Sequence, residues 1–181
     1  MANYTSAAKG SSVNGAAYVA PIGTTLPTDA SAELDTAFIN LGYVSEDGLT
    51  NSNSPDSEQI KDWAGSNVLT IQSGREDKFT FTLLGALDAE VQKLIYGDAN
   101  VEGTFEKGMT IKANQTELEG HVFVFDMAVK GGLKRVVVPN GWITSVGDIT
   151  YSGSDAIKYE LEITALQDDA GENHYEYTIQ K

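Results

Sequence analysis

No cysteine occurs among the 181 residues, which excludes a disulfide framework, thiolate metal sites and thiol catalysis together. Histidine is nearly as scarce, with only His121 and His174. Neither stands in an H-E-x-x-H spacing or near the further ligands that zinc requires. A lone histidine in a strand is ordinarily a packing or surface residue. The chain has no G-x-S-x-G elbow and no glycine-rich phosphate loop. Carboxylate pairs of the kind glycosidases use carry no information in so acidic a chain. The opening MANYTSAAKGSSVNG lacks the basic and apolar regions of a secretory signal, and no apolar run is long enough to span a bilayer. These absences describe a soluble, non-enzymatic chain made in a cytoplasm.

Basic residues are also few. Lys and Arg number 12 against 26 Asp and Glu, for a formal net charge of −14. Direct nucleic-acid binding needs clustered cations to neutralise phosphates, and Lys134-Arg135 is the nearest approach to a cluster. The acidity is uneven: Asp29 to Asp62 holds eight acidic residues and one base, Lys61. Such a surface repels DNA.

What is present is enough apolar sequence for one ordinary domain with its own core. Residues 1–15 are small and polar without periodicity, the composition of a flexible arm. Pro21 and Pro27 punctuate turns after a short strand, and Leu34, Ala37 and Phe38 predict a helical turn or two within Asp29 to Asn40. DKFTFTLL alternates, with Phe79, Phe81 and Leu83 inward. LDAEVQKLIYG predicts the one helix, at about 87–96, with Leu87, Val91, Leu94 and Ile95 on a single face and Gly97 as its stop. GMTIKA, HVFVFDMAV, LKRVVVP, WITSVGDIT and AIKYELEITAL predict further strands. HVFVFDMAV is apolar on both faces, so both must be covered, one of them by the helix. EQIKDW predicts a short strand that is polar on both faces, with Glu58, Ile60 and Asp62 on one side and Gln59, Lys61 and Trp63 on the other, which places it outside a core, and NVLTIQS predicts the strand that follows the Gly65 turn. The tail NHYEYTIQK is either a last edge strand or an arm. Many short strands and one helix predict an all-β sandwich or barrel.

Between two of these strands lies GYVSEDGLTNSNSPDSEQIKDWAG, which predicts a long polar loop at 45–57. An EF-hand is excluded there. Counting from Asn51 puts Pro55 at the fifth position and Asp56 at the sixth, and counting from Asp47 puts Leu49 at the third. An irregular calcium site and a solvated loop both stay open on spacing alone, and so does an acidic, calcium-stabilised binding or virion decoration module.

The order of the pieces carries further. AYVAPIGTTLPTD, LDTAFINLGYVSEDGLTNSNSPDSEQIKDWAG, DKFTFTLLGALDAEVQKLIYG and RVVVPNGWITSVGDITYSGSDAIKYELEITAL together resemble the major tail tube protein of long, non-contractile-tailed bacteriophages. The resemblance covers roughly residues 15 to 166. It implies a tail tube β-sandwich over 16–166, flanked by an arm at 1–15 and by 167–181, with no added immunoglobulin-like domain. It implies no enzyme activity and no cofactor or metal. It further implies hexameric rings stacked head-to-tail into a hollow tube that passes double-stranded DNA to the host, synthesised and assembled in the host cytoplasm. The implied partners are further copies of the chain, a tape-measure protein, a tail terminator and baseplate or distal tail proteins, with no membrane insertion. The long loop then becomes a ring-stacking element, with Glu46, Asp47, Leu49, Asn51, Asn53 and Asp56 as its site residues, and with Leu49 packing when a neighbour arrives. Glu58, Asp62, Glu160 and Glu162 become candidate lumen or inter-subunit acidic faces.

Overall fold

The computed structural model describes residues 5–10 and 15–180. In chain order it contains β1 (Ala8–Gly10), β2 (Ala17–Pro21), β3 (Ile39–Asn40), β4 (Val44–Lys61), β5 (Asn67–Leu83), α1 (Ala89–Tyr96), β6 (Val101–Thr104), β7 (Gly108–Ile111), β8 (His121–Val129), β9 (Gly132–Val146), β10 (Tyr159–Ala165) and β11 (Tyr175–Gln180). The fold is all-β with one short helix, as expected. The main sheet runs β3-β2-β8-β9-β10-β5-β4, with β1 added to β8 and β11 added to β9, while β6 and β7 form a separate hairpin.

β9 joins the two halves of this sheet. The periodicity predicts two strands, LKRVVVP and WITSVGDIT, but one continuous strand forms. Its first part pairs with β8 on one side and β11 on the other, and its last part, Gly141 to Val146, pairs with β10. Pro139 cannot donate to a ladder, and the β8 pairing slips there, from Phe123↔Val138 to His121↔Gly141. The slip lets one strand serve both halves. Gly141 sits at that crossing, where a Cβ would come within 2.7 Å of the Phe123 ring.

The core lies between the halves. Phe79, Phe81 and Leu83 of β5 and Leu161 and Ile163 of β10 meet Phe123 and Phe125 of β8, with all seven buried. The Phe81 ring stands edge-on to Phe125 at 4.9 Å and to Phe123 at 6.2 Å. Val91, Leu94 and Ile95 of α1 join the same cluster. Asp88 caps that helix by accepting from the Glu90 amide at 2.9 Å, and Gly97 ends it at φ 89°.

The other face of β8 is covered too, which explains its doubly apolar sequence. Val122, Val124, Val137 and Ala20 form a second cluster under Leu26, Leu34 and Phe38 and under Tyr175 and Tyr177 of β11. The helix expected within Asp29 to Asn40 does not form. Asp29 Oδ1 instead accepts from the backbone amides of Ser31 and Ala32, both at 2.6 Å, a local bonding pattern that competes with helix. Leu34 and Phe38 still face the sheet, held in a turn-rich cover rather than a helix. Arg135, nearly fully buried, ties the cover down. It forms a two-point ion pair with Asp126 at 2.6 and 2.9 Å and donates to the Asp29 and Ala32 carbonyls at 3.0 and 2.8 Å.

At the N-terminus, residues 1–4 and 11–14 of the expected arm lie outside the described residues, while Ala8 to Gly10 pair with Val129 to Met127 of β8. Of the two outcomes open for the tail, strand forms: Tyr175 to Gln180 pair with Val137 to Gly132 of β9.

Candidate functional site

The stretch predicted as a loop at 45–57 is strand. It belongs to β4, which with β5 makes one long hairpin. Pairing supplies the reason, since every residue from Leu49 to Asp56 has a partner on β5 from Phe81 down to Gly74. A polar sequence without alternation reads as loop only while its partner strand is unknown.

The hairpin has a root, a shaft and a tip. At the root, β4 bulges over Ser45 to Gly48, because Val44 pairs with Leu83 and Leu49 already pairs with Phe81. Glu46 and Asp47 are exposed on this bulge, whereas Leu49, expected to await a neighbour, is half-buried against the chain's own core. Asn51 donates to Asp77 Oδ1 at 2.7 Å and to the Lys78 carbonyl at 3.1 Å. Asp77 is a buried carboxylate, and its second oxygen meets His174 Nδ1. The His174 ring in turn stands edge-on to Phe79, 5.2 Å away. This network fastens the base of the hairpin to the segment that leads into β11. Asn53 lies half-buried just beyond it, and Asp56 is exposed.

From Ser54 outward the hairpin leaves the body: every residue from Ser54 to Glu76 is exposed. At about 3.3 Å per residue, the shaft from Ser54 to Lys61 reaches about 25 Å. Its two faces differ. Ser57 pairs with Gln72 and Gln59 with Thr70, making one polar face. Glu58 pairs with Ile71 and Ile60 with Leu69, making the other largely apolar. Ile60, Leu69 and Ile71 are 44%, 53% and 45% exposed. EQIKDW by itself reads as polar on both faces. The apolar face exists only across the pair, and the alternation of Leu69 and Ile71 in NVLTIQS is the signal that marks it.

The tip is the turn from Asp62 to Ser66. Asp62, a candidate acidic-face residue, caps it by accepting from the Ser66 amide at 2.8 Å, and its own amide donates to the Ser66 carbonyl at 2.9 Å. Gly65 takes φ 85° there, where a side chain would be strained. Trp63 extends wholly into solvent, at 105% relative exposure.

Glu160 and Glu162 lie elsewhere, on the outward face of β10, while Tyr159, Leu161 and Ile163 point inward. Glu162 is ion-paired to Lys78 at 3.6 Å, Lys78 also meets Glu76 at 3.2 Å, and the Thr144 hydroxyl donates to Glu162 at 3.3 Å. The hydrogen bond to Glu76 and the charge of Glu162 hold the Lys78 ammonium above its ordinary pKa. The fold thus separates the acidic candidates, with Glu58 and Asp62 on the arm and Glu160 and Glu162 on the body. Among the described residues no three acidic or histidine side chains gather in a way that would hold a metal ion, and no helix is long and apolar enough to cross a membrane.

A family model described as phage tail tube protein matches residues 1–181, the whole chain. The chain belongs to the phage tail tube protein family. No curated protein matches it. Among solved structures ten chains match. One of them is from a cryo-EM structure of an extracellular contractile injection system, a PVC sheath–tube complex in the extended state. It is 11% identical over 91% of this chain and 89% of that one, with a TM-score of 0.46. This tail tube protein is structural rather than enzymatic, and its place is in the tail of the virion.

Proposed function

We propose that this tail tube protein closes into hexameric rings that stack head-to-tail into the hollow tube of a long, non-contractile tail, through which double-stranded DNA passes to the host. The β-sandwich over 16–166 forms the ring, and the β4–β5 hairpin reaches the adjoining ring as its stacking element. The observation that carries this reading is the exposed apolar face of Ile60, Leu69 and Ile71 on a projecting hairpin. A hairpin outside any sheet is marginal in water, and exposed apolar patches of this kind mark interaction surfaces. Each of these half-exposed side chains contributes about 1 kcal/mol when fully covered, and a ring multiplies that by six arms. Head-to-tail contacts are heterologous, the geometry that grows open filaments. β4 is the last strand of the sheet order, so its outer backbone edge is available to pair with a neighbouring subunit.

The charge fits passage of DNA. Six times −14 is −84 per ring, and a wall of that sign leaves no counterion-release binding to slow a moving duplex. Glu160 and Glu162 are the lumen candidates and Glu58 and Asp62 the inter-ring ones. Such a tube is assembled in the host cytoplasm around a tape-measure protein and between a terminator and the baseplate.

Replacing Ser54 to Glu76 by an Asn-Gly turn tests the stacking element. No buried side chain is lost, so the shortened chain is expected to fold and melt near wild type while electron microscopy shows no stacked tubes. Tubes of normal length from the shortened chain would overturn this role for the hairpin.

A further inference from the structure

Trp63 is a large apolar side chain at the tip of the projecting hairpin, with its whole surface in water. Its turn is closed by two bonds between Asp62 and Ser66, one through the Asp62 side chain and one through its backbone amide, which fixes where the indole leaves the arm. At the other end of the same hairpin a cavity of about 580 Å³ opens between β1 and the β4 bulge. Tyr43, Val44, Leu49, Phe125 and Met127 line it, with Lys9, Glu46 and Asp47 among its polar residues. That size lies within the range of pockets that hold drug-sized ligands, so it admits the indole together with its neighbours at the tip. Knob and hole are carried by one chain at opposite ends of one element.

Resting on the self-assembly reading above, we infer that Trp63 of one copy seats in the root cavity of the next. Copies displaced along the arm bring the tip of one to the root of another. Leu49 and Lys61 are 12 residues apart, so this displacement is about 40 Å at about 3.3 Å per residue. Charge agrees with the pairing: Lys61 flanks the indole and meets a cavity carrying Glu46 and Asp47, while Asp62 meets Lys9. An aromatic anchor in an apolar pocket with a charged rim is the usual centre of a specific interface. The contact is heterologous and repeats without closing. The indole is thus the residue that fixes the axial spacing of the assembly.

The absence of cysteine allows a direct test. Ala64→Cys lies beside the indole without replacing it, and Ser45→Cys lies on the cavity. Oxidation of the assembled double variant is expected to give a ladder of linked oligomers on a denaturing gel, while each single variant gives none beyond a dimer. Trp63→Ala is expected to lose stacking and Trp63→Phe to keep it, and the difference in emission between wild type and Trp63→Phe, which retains Trp142, is expected to shift to shorter wavelength on assembly. Tubes from the double variant with no ladder, or normal tubes from Trp63→Ala, would overturn the pairing while leaving the tube reading standing. In that case the cavity holds another occupant, such as the chain's own N-terminal residues. A wild-type chain that never forms tubes at any concentration would overturn the self-assembly reading and this contact with it.

Discussion

Replacing Arg135 with methionine should unfasten the cover over the second core cluster. The guanidinium donates twice to Asp126 and once to each of the Asp29 and Ala32 carbonyls. Its side chain is 5% exposed, and that of Asp126 is 25% exposed. Removing one partner of a fully buried ion pair costs about 3–5 kcal/mol. Here water can reach the Asp126 carboxylate, so the low end applies, about 3 kcal/mol. For a chain of this length each kcal/mol moves the midpoint by about 2–4 °C, giving a loss of about 6–12 °C. A thermal melt by circular dichroism at a concentration that keeps the protein unassembled measures it. The double variant Asp126→Leu with Arg135→Met removes the stranded charge and should recover to within about 1 kcal/mol of wild type. The reasoning is refuted if the single variant melts with wild type, or if the double variant falls as far as the single one.

The remaining predictions concern pH and DNA. The Tyr175 hydroxyl donates to Asp168 at 2.7 Å, and that bond pushes its pKa up from 10.0 to about 12. A raised folded-state pKa means that the bond stabilises fully below pH 10 and is lost as pH rises through about 12. In a phenolate absorbance titration, subtracting the Tyr175→Phe curve should isolate a component with its midpoint near 12; a component at 10 would show that the bond does not form. Glu160→Lys with Glu162→Lys should convert non-binding tubes into tubes that retain double-stranded DNA in low salt and release it in high salt. Retention by wild-type tubes, or none by the variant, would remove these residues from the channel wall.

Much of the body was legible because its strands carry their own alternation. Tyr159, Leu161 and Ile163 of β10 and Phe79, Phe81 and Leu83 of β5 are buried as the period of two requires. The helix was legible from Val91, Leu94 and Ile95 and from its stop, although Asp88 caps it, it begins at Ala89, and Leu87, expected on the same face, precedes it and is exposed. The projecting hairpin was legible only in pieces. Its residues from Ser54 to Glu76 bury nothing within the chain, so EQIKDW and NVLTIQS read as two short strands and the polar run before them as a loop, rather than as one continuous hairpin. Its apolar face is divided between Ile60 on one strand and Leu69 and Ile71 on the other, a juxtaposition set by the turn at Asp62 to Ser66. Asp77 and His174 were equally silent, being 97 residues apart and joined only by the fold. The turns at Asp29 and Asp35 displaced a predicted helix because a carboxylate bonding its own neighbours' amides competes with helical bonding.

The central claim is that this chain alone, through its projecting hairpin, builds a stacked-ring tube. Electron microscopy of the purified protein at high concentration, with and without a calcium chelator, tests it most directly. The account predicts hollow tubes of six-fold rings at an axial repeat of about 40 Å, unchanged by the chelator and set by the Leu49-to-tip length of the arm. A monodisperse monomer whose stability depends on calcium would contradict it and identify a binding module instead.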